Sequence, residues 1–322
     1  PDLPQERFGL MFGPHAQLAL QDGAAGLVLL QGGGVAALAG IERHQGAVGR
    51  VVVGDAGTAA RDRTDHRVWL TSLRAGAAVA LIGFVGAPFT LASYLIEGGP
   101  SKNHEKTKAM MHGDPETWHA LMRRLVPTIT EFLRTQVEAG IDAMQLFDSW
   151  AGSLSADDYL EHVQPHSTAA LAHVADLAGP GVPDGAPLLH FGTGTGEFLH
   201  HMRDAGATAV GVDHRLTLAE AHRRLSANPG PDGRGAVPLQ GNIDPALLAA
   251  PWEVLEAHVR DVVASGAVAP GHVVNLAHGV PPETDAAVLT RVVELIHSLP
   301  VPEREGQDPA PGVETAEREE RA

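Results

Sequence analysis

The chain has 322 residues, 44% of them apolar but only 4% aromatic, so an aliphatic core for one large domain is within reach. Its formal charge of −16 argues against wrapping nucleic acid or binding anionic lipid, both of which need clustered Lys and Arg. The absence of cysteine excludes disulfides, thiolate nucleophiles and zinc sites built on sulfur.

Elements are predicted in chain order from short apolar, β-branched runs. "GLVLLQGG" (26–33) and "RVVVGDAG" (50–57) come first, in a Gly/Ala/Val-rich segment of about 80 residues without convincing helix caps. "VALIGFVG" (79–86), "DAMQLFDSW" (142–150), "APLLHFG" (186–192), "TAVGVDH" (208–214), "AVPLQGN" (236–242) and "GHVVNLAHG" (271–279) follow. Amphipathic stretches separate most of them, notably 115–139 and 252–265. Asp114 before Pro115 and Glu116 predicts a helix start, with Asp as N-cap and Pro at the first helical position. Apolar strands alternating with such helices imply a parallel sheet covered by helices. Eight units would close a (β/α)8 TIM barrel, and an open doubly wound sheet is the alternative. Loops are predicted at "AGPGVPDGAP" (178–187) and "SANPGPDGRG" (226–235). Residues 303–322 lack apolar periodicity and read as a disordered acidic tail. No run reaches the roughly 18 apolar residues of a membrane span, and no signal-peptide pattern appears. The chain begins with Pro1 rather than Met, which leaves its true start open.

Four stretches could carry chemistry. "HFGTGTGEFL" runs from an apolar strand into glycines and on to an acid, Asp213, at the end of the next strand. Gly192, Gly194, Gly196 and Asp213 could serve an S-adenosylmethionine-dependent methyltransferase, the glycines near the cofactor and the acid on its ribose. His190 stands where such enzymes usually carry an acid, and a tight strand-to-helix loop is the plainer reading. In "IGFVGAPFTLASYLIEGGPSKNHEKTK", Tyr94 offers a phenol and Phe84 and Phe89 offer flat apolar surface. The chain's only lysines, Lys102, Lys106 and Lys108, make a cationic loop suited to a carboxylate-rich ligand, or an ordinary solvated helix start. "QLFDSWAG" contributes Phe147 and Ser149; no G-x-S-x-G elbow surrounds Asp148–Ser149. "NLAHGV" places His278 after the last strand, where it could protonate or pair with a substrate group, or bond to backbone. Eighteen histidines raise the question of a metal, but no dense ligand spacing such as H-E-x-x-H is present, and none is expected.

Taken together and in order, "LIGFVGAPFTLASYLIEGGPSK", "QLFDSWAG", "HFGTGTGEFL…MRDAGATAVGVD", "QGNIDPALL" and "NLAHGV" resemble the uroporphyrinogen decarboxylase family, from about Leu81 to about His297. The resemblance implies a (β/α)8 barrel, a cytoplasmic homodimer, and removal of the four acetate carboxyls of uroporphyrinogen to give coproporphyrinogen, without metal or organic cofactor. It implies that Tyr94, Ser149 and His278 contact substrate carboxylates or support the reaction, and that Phe84 and Phe147 line the macrocycle's face. The chain departs from the family at Ala277, where glycine is usual, and at Pro281, where a larger apolar residue is common. Residues 1–80 contain neither the family's RQAGR-type arginine segment nor its FSD-type motif, whose aspartate accepts the pyrrole N–H bonds. Asp55 follows a strand-like run, but its surroundings do not match that motif. An altered reading frame or unrelated start is the expectation for this segment, to be tested against the other frames of the coding DNA. A non-catalytic porphyrinogen-binding protein is the remaining alternative.

Overall fold

The computed structural model describes residues 80–99 and 101–300, together with two short strands at 28–31 and 35–38. "RVVVGDAG" with Asp55, and the tail at 303–322, lie outside the described residues.

Six strands run parallel and neighbour one another in chain order: β3 Ile82–Gly86, β4 Ala143–Phe147, β5 Leu188–Phe191, β6 Ala209–Gly211, β7 Leu239–Gln240 and β8 His272–Val273. Helices fill the connections. Between β3 and β4 lie α1 Pro88–Glu97, α2 Glu105–Gly113 and α3 Pro115–Ala139. Then come α4 Ala156–His162 and α5 Gln164–Ala172, α6 Leu199–Asp204, α7 Leu218–Ala227, α8 Trp252–Gly266, and α9 Ala286–Ser298 after β8. The α3 helix starts where the sequence predicts, with the Asp114 carboxylate accepting from the Thr117 N–H at 3.1 Å. It buries Trp118, Met122, Val126, Ile129, Leu133 and Val137, one stripe at helical spacing. It ends at Gly140 in the left-handed region.

Strand residues alternate between two environments. Val85, Met144, Leu146 and Leu188 pack outward with Val126, Ile129 and Leu133 of α3 and with Ala170 and Leu171 of α5. Ile82, Ala143, Leu189 and Ala209 form a separate inner layer. Above that layer Gln145 of β4 and Gln240 of β7, both buried, hydrogen-bond amide to amide at 3.1 Å. Two strands separate β4 from β7, so a flat sheet would hold them about 14 Å apart, three strand spacings. The sheet is therefore curled, with β4 facing β7 across an interior, and this is the barrel architecture the alternation predicts.

The first strands depart from the parallel pattern. β1 (Val28–Gln31) and β2 (Val35–Leu38) form an antiparallel hairpin, and β1 meets β8 antiparallel at the Gln31–His272 pair. Only Gly32, Gly33 and Gly34 join them. A parallel return needs a crossover of a dozen or more residues, so three glycines can make only a hairpin. Among the described residues the wall stays open between this hairpin and β3.

Candidate active site at the C-terminal rim of the strands

Every parallel strand points its C-terminal end at the same rim, and the candidate residues are distributed around it. At β3, Gly86 and Ala87 lead straight into Pro88, which opens α1 with its ring-fixed φ. The Ala87 N–H still donates to the Phe147 carbonyl at 2.8 Å, so the turn begins while the β3–β4 ladder is intact. Thr90, in the first turn of α1, donates to the Asp148 carboxylate at 3.0 Å and accepts the Trp150 N–H at 3.4 Å. That hydroxyl fixes the start of α1 to the loop after β4. One turn further on, Tyr94 stacks on Trp150 with ring centroids 3.9 Å apart, and His104 covers Trp150 at 4.8 Å. Burial raises the Tyr94 pKa, so its hydroxyl stays a hydrogen-bond donor at neutral pH.

Phe84 and Phe147 meet edge to face at 5.3 Å, and Phe147 meets Phe191 in the same way at 5.8 Å. Three adjacent strands thus present one aromatic wall on the inner side of the sheet. Gly211 makes room for it: a Cβ there would lie 2.6 Å from the Phe191 ring. Ser149 follows β4, partly exposed, and its carbonyl accepts the Thr193 hydroxyl at 2.6 Å. His278 lies beyond β8, past the Ile243–Leu276 bridge, partly exposed on the same rim. The contacts bring Phe84 and Phe147 together and seat Tyr94 against the neighbour of Ser149; His278 shares the rim through topology. Phe89 is fully buried among Trp118 and His104 and belongs to the core.

The glycine turn is occupied by protein. Asp213 is buried, accepts the Gly194 N–H at 2.6 Å and the Arg215 N–H at 3.1 Å, and pairs with the Arg215 guanidinium. A Cβ on Gly152 would lie 2.0 Å from the Thr193 carbonyl, so the loops after β4 and β5 touch backbone to backbone. The glycines serve this contact and the acid serves as its clasp, which leaves the methyltransferase reading without support.

Two features escape the sequence reading. Asp148 and His190 are both fully buried, 3.6 Å apart, and no motif spacing links them because they come from neighbouring strands. Asn242 donates to the Asp213 and Leu216 carbonyls at 2.8 and 2.5 Å and ties the β6 and β7 ends together. The lysines play a more structural part than predicted. Lys108 donates to the Ser153 carbonyl at 2.5 Å and Lys106 to the Glu97 carbonyl at 3.4 Å. Lys106 fastens α2 to the end of α1, and Lys108 fastens it to the loop after β4.

The sequence profile of the family described as Uroporphyrinogen decarboxylase (URO-D) matches residues 66–299, beginning upstream of Leu81. Curated relatives bearing that name include one from Arthrobacter sp. (strain FB24), 61% identical over 219 residues, covering 68% of this chain and 59% of the relative. Others come from Saccharopolyspora erythraea, 59% identical with 68% and 59% covered, and Salinispora tropica, 58% identical with 69% and 56% covered. The chain spans about three-fifths of the length of these relatives. Among solved structures, the carboxyl transferase domain from Rhizobium etli pyruvate carboxylase with pyruvate gives a TM-score of 0.36 at 13% identity, over 77% of this chain and 39% of that one. So loose a likeness bears on neither fold nor chemistry.

Proposed function

This chain belongs to the uroporphyrinogen decarboxylase family, and we propose from that membership that its rim site binds uroporphyrinogen and removes the four acetate carboxyls. The observation that carries the reading is the aromatic wall of Phe84, Phe147 and Phe191, joined at the rim by the half-buried Tyr94 phenol stacked on Trp150 after β4. A tetrapyrrole macrocycle is a broad apolar disc rimmed with carboxylates. It calls for flat apolar walls with a few placed polar groups, which such sites typically provide. Phe84 and Phe147 take the ring face. Tyr94, Ser149 and His278 take carboxylates or support proton transfer.

The chemistry needs no resident cofactor, because the substrate is its own electron sink. A proton added to a pyrrole carbon makes a cation. The bond between the acetate methylene and its carboxyl breaks, and the electron pair flows into that cation as CO2 leaves. Protonation of the methylene and loss of the ring proton restore the pyrrole, so each cycle consumes one proton and yields one methyl group. Residues 1–80 lack the family's arginine and FSD-type motifs, so the proposal includes slower turnover than in relatives that carry them. Removing one preorganised electrostatic group typically costs about 2.7–4 kcal/mol, or 10²–10³ in rate. Homodimerisation, indifference to nucleic acid and a cytoplasmic site of action belong to the same reading. No helix among the described residues is long and apolar enough to cross a membrane.

The test is incubation of the full chain with uroporphyrinogen, following coproporphyrinogen by chromatography beside an active relative. Product is expected, and His278→Ala should lower kcat/KM at least about tenfold, the scale of a lost proton-transfer or carboxylate contact. Macrocycle binding with no product would refute decarboxylation and support a binding protein. Neither binding nor product would refute both readings.

A further inference from the structure

Away from the rim site, α2 and α4 bring three metal-binding side chains together. Asp158 and His162 lie one turn apart on α4, the spacing that sets two side chains on one helix face. His112 reaches them from the last turn of α2. Their ligand atoms all lie within 4.8 Å of one another. His112 Nε2 is 3.5 Å from Asp158 Oδ1, close to the roughly 3.3 Å between donors of a tetrahedral ion whose ligands sit about 2.0–2.1 Å away.

The second observation is the state of His162. Its side chain is buried, and its Nδ1 has no hydrogen-bond partner among the described residues. The His112–Asp158 contact accounts for two of the groups and leaves this nitrogen unexplained. The His162 and His112 rings stand nearly perpendicular with centroids 5.4 Å apart. The backbone beneath is held, because the Trp118 indole donates to the His162 carbonyl at 2.9 Å. His119 lies 5.8 Å from the His162 ring but is engaged elsewhere, its Nδ1 being 2.8 Å from His166 Nε2.

We propose that His112, Asp158 and His162 form a binding site for a divalent first-row transition ion, zinc being the best fit, with water as fourth ligand. Two imidazoles and one carboxylate suit zinc and disfavour magnesium or calcium, which take oxygen ligands. The ion would pin α2 to α4. The α2 helix also carries Lys108, bonded to the Ser153 carbonyl in the turn leading to α4, so the ion would reinforce a contact at the edge of the rim. Motif spacing alone misses this set because its members come from two helices joined only in space.

The full chain, stripped with a chelator and dialysed, is titrated with zinc sulfate by calorimetry and followed by thermal unfolding. One equivalent should bind with Kd of about micromolar or tighter, and Tm should rise, since a ligand of the folded state stabilises it. His112→Ala, on an exposed side chain that folding tolerates, and Asp158→Asn should each weaken binding at least about tenfold. His297→Ala, on the distant α9, should leave it unchanged. No saturable uptake by the unmodified chain overturns the proposal. So does stoichiometric uptake that survives both His112→Ala and Asp158→Asn. The readout is independent of decarboxylation.

Discussion

Asp213 shows how one residue can suit two chemistries in sequence and only one in space. An acid after a glycine turn and a strand fits a ribose, but this carboxylate holds the turn itself through the Gly194 N–H and the Arg215 side chain. Gly152 explains why the signal misleads. Glycine is demanded wherever backbone approaches closely, whether the neighbour is a phosphate or, as here, the Thr193 carbonyl. Asp213→Ala should remove the acceptor of the Gly194 and Arg215 N–H groups and destabilise the fold by about 1–3 kcal/mol, two bonds at about 0.5–1.5 kcal/mol each, while Asp213→Asn, which keeps an acceptor, should cost less. Urea unfolding of the two variants measures this. Equal losses would mean that the charge of the Arg215 pair, rather than the hydrogen bond to the turn, holds the loop. By contrast Phe84 and Phe147 were legible as candidates, each an aromatic in a predicted strand, and the structure adds that they meet edge to face. Their third partner, Phe191, joins them through the β4–β5 pairing, which no local pattern reports.

Among the elements, β3 has a neighbouring strand on one side only within the described residues. Gln136 of α3 takes the place of the missing partner. Its carbonyl accepts the Phe84 N–H at 2.9 Å and its amide donates to the Phe84 carbonyl at 3.0 Å. Gly83 permits this, since a Cβ there would lie 2.6 Å from the Gln136 amide oxygen. One side-chain amide therefore mimics one residue of a strand. Gln136→Ala removes both bonds and should cost about 1–3 kcal/mol, because each is worth about 0.5–1.5 kcal/mol. It should also raise self-association by freeing a strand edge. Gln136→Glu keeps the acceptor, loses the donor and should fall between. Chemical denaturation with light scattering checks both effects; a variant as stable and monodisperse as the parent would show that the edge needs no cap. The start of the α3 helix was readable from Asp114 and Pro115, because caps are local chemistry. The Gln136 cap was not, because an amide bonded across 52 positions leaves no mark on local periodicity.

For the whole molecule, the presence of the six parallel strands was readable from alternation, whereas their order, their curvature and the fate of the N-terminal strands depend on contacts no periodicity encodes. The Gln145–Gln240 bond registers the curvature, and the β1–β2 pairing registers the antiparallel start. Response to acid is likewise a property of the assembled fold. His166 of α5 is buried against His119 of α3, and its pKa is pushed down to about 4 by burial first, then by His119 and Arg123. The His119–His166 bond needs one ring as donor and the other as acceptor, so protonating both breaks it. In the unfolded chain His166 takes up its proton near pH 6.5, but the folded chain resists until about pH 4. Between those values the unfolded state binds more protons, so stability falls as pH drops through that window and levels off below it. The acidic chain, at −16, loses self-repulsion over the same range, which opposes the trend and hides it in the parent profile alone. The comparison that isolates the histidine is therefore a difference. Thermal unfolding of the parent and of His166→Gln, measured from pH 7 to pH 4, should converge as pH falls, because only the parent loses the histidine contribution. Parallel profiles would mean that His166 is protonated as readily in the fold as out of it, and that the His119 contact does not hold it neutral.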